Sequence, residues 1–191
     1  MLNEIFQKVM GFLQKPVKAF DAEKKTEPME ALIYVAIVSV VGAVMGGILT
    51  MATTANALMA GVAIIGAYVA GIVLVVISGL WLHLWAYIFG AKGGLNQTLK
   101  TVFYGGTPSY LLGWIPFIGI LFFLWSLYLE WTGLQRLHGM PGDKAAFSIV
   151  VAFIIPLVVM AVLAMLALTF LVPFASQMEG FPTSDFLPAG F

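Results

Sequence analysis

From Met29 onward the chain is a series of apolar runs separated by short polar breaks, and each run is long for a soluble helix or strand. About twenty apolar residues suffice for a helix to cross the hydrocarbon core of a bilayer. The runs predict five such helices, over about 29–52, 58–89, 98–113, 115–137 and 145–174. The region before them reads differently. Leu2, Ile5, Phe6, Val9, Phe12 and Leu13 recur at helical spacing, with Lys8 and Lys15 flanking the apolar face. This run is too short and too polar to span. It predicts either a helix lying flat on the membrane surface or one that packs the same face on the inner ends of the bundle. Pro16 ends that helix or begins the next, and Thr26 is the expected N-cap of the first span, with Pro28 in its first turn. The organisation is therefore an amino-terminal region over 1–27, a membrane domain over 28–175 and a tail over 176–191.

The third run departs from a simple span. Residues 104–116 read YGGTPSYLLGWIP, so Gly105, Gly106 and Pro108 weaken a helix that Gly113 and Pro116 then end. Lipid supplies no partners for freed backbone groups, so this stretch is expected at the centre of the bundle, with neighbouring helices sheltering it. The third and fourth runs form two full spans or a re-entrant hairpin. Elsewhere small residues mark packing faces: Gly42 and Gly46, with Ser39, Ala43 and Gly47, in the first span, and Ala63, Ala67 and Gly71 in the second. Pro156 is an expected kink in the last.

Composition excludes a soluble fold. The 191 residues are 61% hydrophobic and 9% charged, against about a quarter charged in soluble domains. The fold class is all-α, a polytopic membrane bundle. Net charge is zero and basic residues are sparse, which argues against nucleic-acid binding. With no cysteine, disulfides, thiolate metal sites and cysteine nucleophiles are excluded. Glu4, Gln7 and Lys8 interrupt any secretory signal, and no lipidation motif is present. The nine basic residues fall in three places: Lys8, Lys15, Lys18, Lys24 and Lys25; Lys92 and Lys100; Arg136 and Lys144. In both readings of the third and fourth runs these places share one side. The positive-inside rule then puts the amino end in the cytoplasm and the tail outside.

Candidate chemistry is sparse. Glu130 stands inside the fourth run, where a carboxylate is costly unless neutral, paired or wetted. His83 on the second and Tyr104 on the third fall at similar depth, with Lys100 and Arg136 within reach. His83, Tyr104 and Glu130 are expected to form an intramembrane polar cluster. Its role is proton-linked or ligand-sensing, or it is a structural knot, or Glu130 simply reaches the interface. The break at Gly105, Gly106 and Pro108 exposes carbonyls to a transported ion or is a packing accommodation with Thr107 and Ser109 meeting the freed groups. The five tryptophans fit an interfacial belt. No zincin, nucleophile-elbow or phosphate-loop motif is present, and His83 and His138 alone do not make a zinc site. No enzyme activity, cofactor or metal is expected.

Several features resemble the Yip1 domain family of five-span membrane proteins: Pro16 and Phe20 before the first span; Tyr104-Gly105 followed by Pro108 and the 111–116 corner; Gly133-Leu134 closing the fourth span; Lys144-Ala145 opening the fifth. The resemblance covers about Lys15 to Val172 and implies a cytoplasmic amino end. Eukaryotic members are associated with Rab-type GTPases, vesicle traffic and membrane shaping. This sequence carries neither their long amino-terminal region nor an Asp-Leu-Tyr-Gly-Pro segment, which speaks against GTPase binding and for a compact prokaryotic-type member in the cell membrane. The expected function is a membrane-organising or adaptor role through membrane lipids and a protein partner or second copy of the chain. The alternative is a small transporter or channel using the broken third segment and the Glu130 cluster.

Overall fold

The structure, a computed structural model, describes the backbone from Leu2 to Glu179 and the side chains from Asn3 to Phe170. Every element among these residues is helical, as expected where the solvent offers the backbone no hydrogen bonds. Beyond Glu179 the predicted tail lies outside the described residues. The described residues form two units, one ending at Ala152 and the other beginning at Phe153. The first contains α1 (Leu2–Gln14), α2 (Pro16–Ala22), a 3₁₀ turn (Glu23–Lys25), α3 (Pro28–Thr54), α4 (Ala57–Ile88), α5 (Gly94–Gly105), α6 (Thr107–Leu112), α7 (Gly119–His138) and the start of α8 (Gly142–Glu179). The second continues α8, which is helical throughout and includes Pro156.

Among the described residues three helices are long and apolar enough to cross a membrane: α3, α4 and the stretch Gly142–Phe170 of α8. Their apolar side chains are widely exposed, from Ile33 and Val40 on α3 to Leu157 and Leu168 on α8. The third and fourth apolar runs are built otherwise. The third is divided into α5 and α6, and the fourth becomes α-helical only at Gly119. The two arms form a hairpin whose corner, residues 113–118, carries Phe117 at φ 62° with 96% of its surface exposed. Ser109 and Ser126 tie the arms together: their hydroxyls lie 2.8 Å apart, and the Ser109 N–H donates to Ser126 Oγ at 3.2 Å.

The hairpin's first arm is the centre of the fold. Residues 100–108 are buried without exception. Phe12, Phe20, Tyr34, Val35, Leu129 and Leu134 pack around Val102, Phe103 and Tyr104. The periodicity at the amino end becomes α1, and Phe12, Val9 and Ile5 turn onto this core while Phe6 stays exposed. The bundle itself therefore occupies much of the apolar face of α1. One local expectation is corrected. Thr26 ends the 3₁₀ turn, and Glu27 stands at the N-cap of α3 with no side-chain hydrogen bond. Pro28 still opens the helix, because the first turn has no use for its missing N–H.

Of the small residues, Gly42 makes the closest approach to another segment's backbone. A Cβ there would run into the Tyr110 carbonyl oxygen, a backbone atom that moves only with α6. At Gly46 the nearest atom is Trp114 Cβ, 4.0 Å away. On α4, Ala63 is half-buried and Ala67 and Gly71 are exposed; a Cβ on Gly71 would meet nothing within 4 Å. Within this chain the stripe is not a packing face. Instead α4 meets Gly47 of α3 through Ala60 and Ile64. Gly42→Val is thus expected to lower stability in detergent by about 1–3 kcal/mol through overpacking, and Gly71→Val by less than about 0.5 kcal/mol. Thermal unfolding midpoints of the two variants test this, and equal losses would contradict it.

Candidate functional site

Polar residues gather around the 3₁₀ turn and α5. Lys100 is 2% exposed, yet its ammonium is fully met. It donates to the carbonyls of Glu23, Lys24 and Thr26, each at 2.9 Å. An ammonium has three N–H bonds, so the set is complete. The same turn supplies Glu23, whose carboxylate accepts from Lys8 Nζ at 2.9 and 3.0 Å and from the Tyr104 hydroxyl at 2.7 Å. Burial alone would raise the Glu23 carboxyl, but Lys8, Thr26 and Tyr104 outweigh it and hold the group below the usual range. Phe12 stacks on Tyr104 with centroids 4.6 Å apart, and Tyr34 meets the same ring edge-on at 5.1 Å. Outside this core, Asp21 takes a two-pronged bond from Arg136 at 3.0 and 2.5 Å and an ion pair from Lys24 at 2.8 Å. Arg136 and Lys24 together hold its carboxyl down at about 2.

The helix break next to Tyr104 is sealed from within. Gly106 keeps right-handed backbone angles, φ −70° and ψ −4°, so the chain passes from α5 to α6 without unwinding. Pro108 has no N–H, which in a continuous helix would leave the Tyr104 carbonyl without its usual partner. Thr107 Oγ1 donates to that carbonyl at 2.6 Å. The Thr107 hydroxyl has then given up its only hydrogen, so the Tyr34 hydroxyl, 2.8 Å away, is the donor between that pair. At Gly105 the packing is tight: a Cβ would stand 3.1 Å from the backbone nitrogen of Glu130.

The structure places His83, Tyr104 and Glu130 in three different surroundings. Tyr104 belongs to the Glu23 network. Glu130 is half-buried, with its backbone against Gly105, and no hydrogen bond joins it to His83 or Tyr104. The nearby lysine and arginine are engaged elsewhere, Lys100 with carbonyls and Arg136 with Asp21. His83 faces Thr98, whose hydroxyl lies 2.8 Å from His83 Nδ1 and 3.0 Å from His138 Nε2. The Gly93 N–H donates to His138 Nδ1 at 3.0 Å. A backbone N–H only donates, so Nδ1 of a neutral His138 is the acceptor and its proton sits on Nε2. Thr98 accepts that proton's hydrogen bond and passes its own hydrogen to His83 Nδ1. This chain joins α4, α5 and the end of α7. Burial, and to a smaller degree the neighbouring His83, pushes the His138 imidazole down to about 4.

These groups are held by a buried α5–α6 arm, by α7 beside it and by short amino-terminal helices in front of the first long span. The family model for the Yip1 domain matches residues 10–177. The chain belongs to the Yip1 domain family. Comparison with curated proteins and with solved structures gives no match. Family membership and the three apolar helices make it a membrane protein. The match takes in Glu23, Lys100, Tyr104, Thr98 and His138 and begins after Lys8, so Lys8 is an addition to the matched region.

Reasoning from sequence missed Glu23, Thr98 and His138 as partners in this Yip1 domain. Lys100 was the available signal. A lysine at the edge of an apolar run must find partners, and carbonyls of a turn next to the first span were candidates. Among the described residues no group of three or more metal-binding side chains occurs.

Two outcomes follow for the Yip1 domain. Tyr104→Phe removes one donor to a charged acceptor and is expected to lower stability by about 1.5–3 kcal/mol. Lys100→Met takes a donor from three carbonyls at once and should cost more, and the 3₁₀ turn should open to trypsin at Lys24 and Lys25. Limited proteolysis with a thermal melt checks both, and a turn that stays protected in Lys100→Met would contradict the analysis. The second outcome concerns pH. His138 titrates near its ordinary 6.5 when unfolded and at about 4 when folded. Between those values the unfolded state binds more protons, so its stability contribution is full above the higher value and fades as pH falls toward the lower. The melting midpoint should therefore drop on acidification from neutral to about pH 5. His138→Asn, which keeps an acceptor for the Gly93 N–H, should flatten that part of the profile.

Proposed function

We propose that this Yip1 domain is a non-enzymatic membrane-organising or adaptor protein that works through lipid packing and partner proteins. The observation that carries the reading is the latch between the amino-terminal helices and the bundle centre. Phe6 on α1 and Val17 on α2 are outward-facing and exposed. Phe12 and Phe20, on the same helices, are 1% and 0% exposed against the core. A partner or leaflet that moves the outer face therefore acts directly on Tyr104 and Lys100. Transport gains less support, because the break offers no free carbonyl at Tyr104 and leads through wholly buried residues. The location best fitting the charge pattern is a prokaryotic cell membrane with a cytoplasmic amino end. A photo-crosslinking residue at Phe6 should give discrete protein adducts in cells, and one at Phe12 should give none. Vesicles holding the purified protein should show no proton or ion flux above empty ones. Flux that disappears in Glu130→Gln would reverse the choice in favour of a transporter.

We also infer that α5–α6 and α7 form a re-entrant hairpin. Trp114, in its corner, approaches α3 at Gly46. From there to the end of α3 at Thr54 the helix rises a further 12 Å or so, about 1.5 Å per residue. The hairpin tip thus stops short of the level where α3 ends. With no native cysteine, single-cysteine variants report one position each. An impermeant thiol reagent added from the tail side should label Ala55→Cys and leave Phe117→Cys unlabelled. Equal labelling would favour five full spans.

A further inference from the structure

We propose that the pocket formed by Lys15, Pro16, Val17, Lys18 and Tyr128 binds the headgroup of an anionic phospholipid, with the acyl chains lying on the exposed face of α7. The pocket is an open cleft of about 310 Å³ where the α1–α2 corner lies beside α7. Two of its five lining residues are lysines and none is acidic. The nearest carboxylates in the same segment are already engaged, Asp21 with Arg136 and Lys24 and Glu23 with Lys8 and Tyr104. Lys15 and Lys18 therefore present their charge to whatever enters.

The apolar side of the pocket fits the rest of a lipid. Leu121 stands three and four residues before Leu124 and Trp125, and Tyr128 four and three residues after them, so the four lie along one face of α7. That face is exposed, from 62% at Leu121 to 37% at Trp125. The lysines stand at its polar end, and Val17, 45% exposed, adds apolar surface beside them. A tyrosine between an apolar stripe and two cations is the arrangement of a membrane interface, ring in the apolar zone and hydroxyl toward the headgroups. A free phosphate would use the lysines alone and leave the stripe unexplained. A zwitterionic lipid would bring a cation of its own against them. A net-anionic phospholipid satisfies both halves.

The proposal needs the protein to sit in a bilayer and does not need the adaptor role, so the two readings fail separately. The test is native mass spectrometry of the full chain released from micelles carrying equal phosphatidylglycerol and phosphatidylcholine. The wild type should retain phosphatidylglycerol selectively. Lys15→Gln with Lys18→Gln should reduce that retention by about an order of magnitude or more, and Tyr128→Leu should reduce it while leaving the melting midpoint in place. Lys25→Gln with Lys92→Gln, which removes equal charge from exposed positions elsewhere, should leave retention unchanged. An equal fall in that control would mean diffuse surface charge and would overturn the site, as would undiminished retention in the Lys15 and Lys18 variant. Displacement of the lipid by inorganic phosphate alone would also overturn it.

Discussion

An ammonium group cut off from water has to be met by fixed dipoles, and that constraint shapes the inner end of this protein. Lys100 lies on the most buried arm of the fold and reaches three carbonyls, one of which, that of Glu23, the Thr26 N–H also uses. Those carbonyls belong to a 3₁₀ turn and the residue that caps it. The turn cannot shift without stranding the lysine, and the loss of the lysine takes a donor from all three carbonyls. Glu23 sits in the same turn, so fixing the turn also fixes the carboxylate that Lys8 and Tyr104 share. Position then propagates outward: α1 is held through Lys8 and Phe12, α2 through Phe20 and Asp21, and α3 starts where the turn ends.

Burying polar groups of this kind adds little to stability compared with a well-packed apolar core, but leaving one partner unmet is expensive. The arrangement is therefore better understood as a device for register. An amphipathic helix with Ile5, Val9 and Phe12 on one face would bind many apolar surfaces. The ion pair with Glu23 and the stack of Phe12 on Tyr104 single out one docking position. The histidine chain does similar work on the other side of α5. Its hydrogens run in a single direction because one end is pinned by a backbone N–H, so α4, α5 and α7 share one set of tautomers.

The helices and the burial of the broken segment were legible because both follow from local rules. Long apolar runs give helices in lipid, and a weakened helix has to be shielded. One satisfying group was legible too: Thr107 meets the carbonyl freed by Pro108, whereas Ser109, expected to do the same, ties the arms through Ser126 instead. The polar partners were not. Glu23 and Lys100 are far apart in sequence, and no periodicity connects a turn before the first span with the third run. His83 was rightly suspected of needing a partner, but depth alone ranked Glu130 above Thr98. Thr98 looked like an unremarkable helix residue, and His138 looked like a loop residue. The small-residue stripes show the same limit. Gly42 and Gly71 have equal sequence signals, and only the placement of α6 makes one a contact and leaves the other open.

Depth also bears on Glu130. Its backbone abuts Gly105, just before Thr107, and Thr107 is bonded to Tyr34. Tyr34 is about 9 Å along α3 from Pro28 at the usual helical rise. Glu130 therefore belongs near the inner end of the bundle and not at mid-depth, where an unpaired carboxylate would be hardest to keep. The carboxylate then needs neither a proton pathway nor an ion to account for it. On the re-entrant reading this holds for the whole polar set: Lys100, Thr98, Arg136 and Glu130 all lie on the inner parts of the hairpin arms, where water is near. The apolar tip alone is left to the lipid.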